Sequence, residues 1–192
     1  AQTARDPPHA AARAEVIHRP RRPPAPPGTP PVTPPVTPPP PAEPLPPIVS
    51  SPAPAGYTLV WADEFETDGL PDTARWTYDI ERNRLGWYNN ERQYYAASRL
   101  ANARVTGGRL QITARLEALR VAPDWSGQRY TSARLITRGK AQWTYGFFEV
   151  RARLPCGRGT WPAIWMLGTA VTWPDDGEID IMEHVGSYPT RI

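Results

Sequence analysis

The feature that most limits what this chain can fold into is the separation of its prolines from its aromatic residues. Of 26 prolines, 20 fall in residues 1–55, while all 19 Phe, Trp and Tyr residues fall in 56–192. A stretch without aromatic side chains cannot bury enough apolar surface to offset the entropy of ordering it. Residues 1–55 are therefore expected to be a disordered, proline-rich tail or linker. The remaining 137 residues suffice for one domain with a single core, but not for two. Within the tail, residues 29–40 read TPPVTPPVTPPP. Proline fixes φ and removes the backbone donor, so this repeat favours a polyproline II rod. At ~3.1 Å per residue, residues 20–55 would reach roughly 110 Å. A PxxP ligand is the other use of such a stretch. A spacer is preferred, because the rod runs straight into the aromatic-rich segment.

Charge excludes little beyond nucleic acid. The net +3 comes mostly from residues 1–55, where five arginines meet three acidic residues, leaving the aromatic segment near neutrality. Arg19, Arg21 and Arg22 read as a solvated basic patch. The single cysteine, Cys156, permits no intrachain disulfide and has no histidine near it in sequence. No apolar run approaches the ~18 residues of a membrane helix. The chain starts Ala-Gln-Thr without an apolar signal region, so a secretory signal is expected to be absent or removed.

From Tyr57 onward short apolar runs alternate with turn residues. Gly107-Gly108 separates two alternating arms and predicts a hairpin, with Leu110, Ile112 and Ala114 on one face. Two further strands are expected over Ser132–Arg138 and Gly146–Leu154. In the second, Phe148, Val150, Ala152 and Leu154 alternate with Phe147, Glu149, Arg151 and Arg153. ERQYYAASRLANA could supply a helical turn or two. Many short strands with hairpin turns indicate an all-β sandwich or barrel.

The chemistry is concentrated in Gly177-Glu178-Ile179-Asp180-Ile181-Met182-Glu183-His184. On a strand, Glu178 and Asp180 share a face, and strict alternation would turn Glu183 away from it. One inserted residue, a β-bulge, returns Glu183 to that face. Retaining glycoside hydrolysis uses two carboxyl groups ~5–5.5 Å apart, one ionised nucleophile and one protonated acid. A third carboxyl between them can keep the two protonation states apart. The same cluster could instead be a solvated strand face or ligate a hard cation.

GEIDIMEHVG, preceded by GTWPAIWMLG at 159–168, resembles glycoside hydrolase family 16, particularly its laminarinase-like (endo-1,3-β-glucanase) branch. WADEFETDGLPDTARW at 61–76, NNERQYY at 89–95, YTSARLITRGK at 130–140 and YGFFEVRARLP at 145–155 follow in family order. The resemblance implies a jelly-roll β-sandwich of the concanavalin-like kind, whose concave sheet forms a glycan cleft. It also implies that Glu178 is the nucleophile, Asp180 its assisting carboxyl and Glu183 the general acid/base. Trp161 and Trp165 match cleft tryptophans, and Asn90 and Arg134 match cleft-lining polar positions. His184 is a candidate for tuning the acid or touching substrate, although alternation turns it toward the core. Trp143, Trp173 and Tyr188 are candidates for the cleft border.

The expected activity is endo-hydrolysis of β-1,3 or mixed β-1,3-1,4 glucan, extracellular, by a protein that is monomeric when complete. No cofactor is required and no metal ligand is assigned, although the family's structural calcium is a further expectation. Tyr88 and Arg92 depart from the family's usual Gly and apolar residue. The chain stops nine residues after Glu183, whereas the family's domain continues, so the resemblance implies an incomplete jelly roll. The alternatives are a noncatalytic glycan-binding module or an inactive fragment on the same fold, or hydrolysis of agar, carrageenan or xyloglucan.

Overall fold

The computed structural model describes residues 53–192 except Val171. The Thr-Pro-Pro-Val repeat, the basic patch and nearly all of the expected linker lie outside the described residues. The described chain is all β apart from one 3₁₀ turn at Tyr88–Asn90. Its strands are β1 (Thr77–Tyr78), β2 (Gln93–Tyr95), β3 (Ala103–Val105), β4 (Leu110–Ile112), β5 (Arg115–Leu116), β6 (Tyr130–Ser132), β7 (Leu135–Ile136), β8 (Ala163–Leu167) and β9 (Glu178–Glu183). They pair as β1–β7, β2–β6–β5, β3–β4 and β8–β9, and all pairs but β2–β6 are antiparallel.

The Gly107-Gly108 hairpin forms as the alternation predicts. Ala103 faces Ile112 and Val105 faces Leu110, while the glycines take φ values of 57° and 70° at the tip. Such positive φ is the conformation glycine enters without steric cost. Ala103 and Val105 are buried, whereas Ile112 is exposed on the partner arm.

Three sequence expectations are corrected. The segment read as a helical turn instead contains β2, whose Tyr94 and Tyr95 suit a half-buried pleated surface better than a short helix. The strand expected over Ser132–Arg138 is divided between the end of β6 and β7, which pair with different strands. No strand forms over Gly146–Leu154. Period-2 alternation marks two faces but does not supply a ladder partner, and no strand ladder among the described residues includes that segment.

The core is built as much from hydrogen bonds as from apolar contact. Trp87, Tyr94, Ala96, Ala103, Val105 and Ala133 are buried, together with the fully enclosed polar side chains of Asn83, Asn102 and Thr131. Asn83 uses its whole amide. Its Oδ1 accepts from Trp87 Nε1 at 3.0 Å and Tyr95 N at 2.9 Å, and its Nδ2 donates to Tyr95 O at 2.9 Å and Asp124 Oδ2 at 3.0 Å. Tyr94 donates to Asp124 Oδ1 at 2.6 Å. Burial, together with that carboxylate, pushes the Tyr94 phenol up to about 12. A buried amide with every site satisfied avoids the ~1–3 kcal/mol cost of an orphaned polar group. This network fixes the Trp87 ring on which part of the candidate site rests.

Candidate active site

β8 and β9 form an antiparallel hairpin that carries all three carboxylates. Opposite residues are Leu167 and Glu178, Met166 and Ile179, Trp165 and Asp180, Ile164 and Met182, and Ala163 and Glu183. The register shifts between Ile164 and Trp165, so Ile181 is the unpaired residue of a bulge. Directly opposite residues share a face, and alternate residues on β8 do as well. Leu167, Trp165 and Ala163 therefore place Glu178, Asp180 and Glu183 on one face, beside the Trp165 indole. The bulge expected from the E-x-D-x-x-E spacing is present. At ~3.3 Å per residue, the four β8 steps separate the backbones of Glu178 and Glu183 by roughly 13 Å. Two glutamate side chains leaning toward each other can span most of that interval.

Beyond Glu183 the hairpin continues. His184 N donates to Pro162 O at 3.1 Å and Gly186 N donates to Thr160 O at 2.9 Å. Gly186 packs so closely on Gly157 O and Thr160 Oγ1 that a Cβ there would overlap them. His184 is 5% exposed, and its Nδ1 lies 2.9 Å from Arg191 O. It follows Glu183 on the strand, so it turns to the face opposite the carboxylates. Trp161 precedes β8 and is 50% exposed.

Arg134 joins the hairpin to the core. Its guanidinium carbon lies 4.7 Å from the Trp165 ring centroid and 5.1 Å from that of Trp87. Its Nε lies 3.0 Å from Asp79 Oδ2, a charge contact without hydrogen-bond alignment. Both side chains are largely enclosed, so the pair is far less screened than a surface one. Asn90, by contrast, is exposed in the 3₁₀ turn with φ 57°, beside Asn89 at 56°. Asparagine tolerates that left-handed region better than most residues. Of the two family departures, Tyr88 lies beneath Arg82 at 4.3 Å, and Arg92 is exposed.

Two groups that sequence spacing did not place are Asp79, the Arg134 partner, and Trp173. The Trp173 indole N–H donates to Glu178 Oε2 at 2.7 Å. No periodic signal could have found that contact, because Trp173 sits in the loop between β8 and β9. The carboxylates stand on an open surface. The groove of about 370 Å³ bordered by Arg84, Trp87, Arg92 and Tyr130 does not include them. No group of three or more His, Cys, Asp or Glu side chains is placed to hold a metal ion among the described residues.

A carboxylate row flanked by indoles on an all-β hairpin carries the groups that a carbohydrate-active protein uses. Residues 97–190 match the family model described as the XgeA-like catalytic GH16 domain. A β-glucanase of Rhodothermus marinus is 59% identical over 141 residues, covering 71% of this chain and 46% of that protein. A glucan endo-1,3-β-glucosidase of Cryptopygus antarcticus is 45% identical, covering 71% of this chain and 49% of that protein. Among solved structures, SCLam, a non-specific endo-β-1,3(4)-glucanase from family GH16, superposes with a TM-score of 0.70 at 56% identity. That match covers 71% of this chain and 51% of the other. Over these stretches the chain is similar to the GH16 catalytic domain and to GH16 glucanases, and its fold is the all-β jelly-roll type. It spans about half the length of the curated relatives it matches.

Proposed function

We propose that the protein is a retaining, endo-acting glycoside hydrolase of β-1,3 or mixed β-1,3-1,4 glucans. The observation that carries this reading is the Ile181 bulge, which returns Glu183 to the face of Glu178 and Asp180 beside Trp165. In the first step Glu178 attacks the anomeric carbon while Glu183 gives its proton to the departing glycosidic oxygen. The C1–O bond breaks as the glycosyl ester forms. In the second step Glu183 takes a proton from water, whose oxygen attacks C1 and releases Glu178. Asp180, between them on the strand, keeps one carboxyl ionised and the other protonated.

The Trp165 face, and Trp161 before it, receive the apolar C–H faces of glucose units, while Asn90 and Arg134 meet hydroxyls. His184 supports the acid/base from the opposite face. The chemistry draws on carboxyl groups and water, without a cofactor. The setting proposed for this activity is extracellular. Glu178→Ala is expected to abolish reducing-sugar release from laminarin, and wild-type turnover by that variant would remove Glu178 as nucleophile. Parallel digests of laminarin, lichenan and agarose decide the linkage, with products expected from the first two.

A further inference from the structure

Trp173 is an unusual place to find an indole. It is 66% exposed, so it is not a core residue, and its one polar atom is spent on Glu178 Oε2 at 2.7 Å. The loop that presents it is internally braced. Thr172 N donates to Asp176 Oδ2 at 2.6 Å, Asp176 N to Thr172 O at 2.9 Å, and Gly177 N to Pro174 O at 2.9 Å. Gly168, at the start of the loop, leaves no room for a side chain, since an added Cβ would lie 2.6 Å from Asp176 Cβ. Glu178 is the first residue of β9 and faces Leu167 across the ladder, so its backbone is fixed at the loop's exit. The loop and the strand together hold donor and acceptor in register.

Building on the proposed hydrolysis, we infer that Trp173 is a positioning residue for the nucleophile. Its N–H holds Glu178 Oε2 and leaves Oε1 as the oxygen that attacks the anomeric carbon. The choice of donor matters. An indole N–H gives a hydrogen bond but does not transfer its proton, so it favours the ionised carboxylate without competing for protonation. A neighbouring carboxyl, such as Asp180, can both donate and transfer. Trp173 thus fixes the orientation of the nucleophile in the free protein, before any sugar arrives, which reduces the reorganisation needed at the transition state. As the glycosyl ester forms, Oε2 becomes the ester carbonyl oxygen and still accepts the same bond.

The contact can be tested apart from turnover. In a ¹H–¹⁵N spectrum of the chain, the indole signal that disappears in Trp173→Phe identifies Trp173. That signal is expected downfield in the wild type and upfield in Glu178→Ala; the same position in both would overturn the inference. In kinetics on laminarin, Trp173→Phe keeps an aromatic face but loses the donor. The expected result is a kcat reduced roughly ten- to a hundredfold with KM within about twofold, the loss of one charge-assisted hydrogen bond. A raised KM with unchanged kcat would overturn it, making Trp173 a sugar platform instead. Wild-type inactivity on every glucan would refute the proposed function, while the indole signal would still decide the contact.

Discussion

Arg134 stands where a buried charge has to be compensated, between two indole rings and 3.0 Å from the Asp79 carboxylate. Removing either partner leaves the other enclosed and unpaired, which is costlier than removing both. Arg134→Ala is therefore expected to destabilise the protein by ~3 kcal/mol, and Arg134→Met with Asp79→Asn by less than the single change. Thermal unfolding of the three proteins checks this, and equal losses for single and double variants would contradict it. Residue identity was legible where chemistry repeats at a fixed spacing, as in Glu178, Asp180 and Glu183. Asp79 was not, because an ion pair between segments far apart in sequence leaves no local pattern. Trp173 was read only as a candidate for the cleft border, since its hydrogen bond to Glu178 depends on how a loop turns back.

Between elements, one carboxylate does much of the joining. Glu117, just after β5, accepts from Arg99 Nη1 at 2.6 Å and Nη2 at 3.2 Å, and from Thr131 Oγ1 of β6 at 2.6 Å. Arg99 also donates to Asn102 Oδ1 at 2.6 Å, and Asn102 donates to Thr131 Oγ1 at 2.8 Å, so β3, β5 and β6 meet there. The Arg99 hydrogen bonds, with help from Thr131, hold the Glu117 carboxyl at about 2, below the ordinary 4.5. A depressed folded value stabilises the protein above the unfolded value, and that gain is lost as pH falls through the folded one. Wild-type melting temperature should therefore fall from about pH 4.5 toward pH 2 more steeply than that of Glu117→Gln. Parallel curves would contradict this. The bulge at Ile181 was readable because Glu178, Asp180 and Glu183 cannot share a face of one strand without it. The Gly146–Leu154 strand was misread for a complementary reason. Alternation describes the two faces of a strand, but a ladder also requires a partner with free donors and acceptors.

At the scale of the molecule, the division between a proline-rich start and an aromatic-rich remainder set the expectation of where the folded segment lies. It did not say how the apolar residues would be disposed. Phe147, Phe148, Val150, Ile179 and Ile181 are exposed, while Asn83, Asn102 and Thr131 are enclosed. Polar burial of this kind follows from hydrogen-bond completion between distant segments, which composition and periodicity do not encode. The jelly-roll class was legible through the family motifs, whereas the pairing of β2 with β6, parallel and distant in sequence, was not. The central claim is that the three carboxylates on the bulged strand perform double displacement. It is tested most directly by ¹H NMR of the anomeric protons during the first minutes of laminarioligosaccharide hydrolysis. The β-anomer of the product should appear first and mutarotate to the α-anomer; initial appearance of the α-anomer would contradict the account.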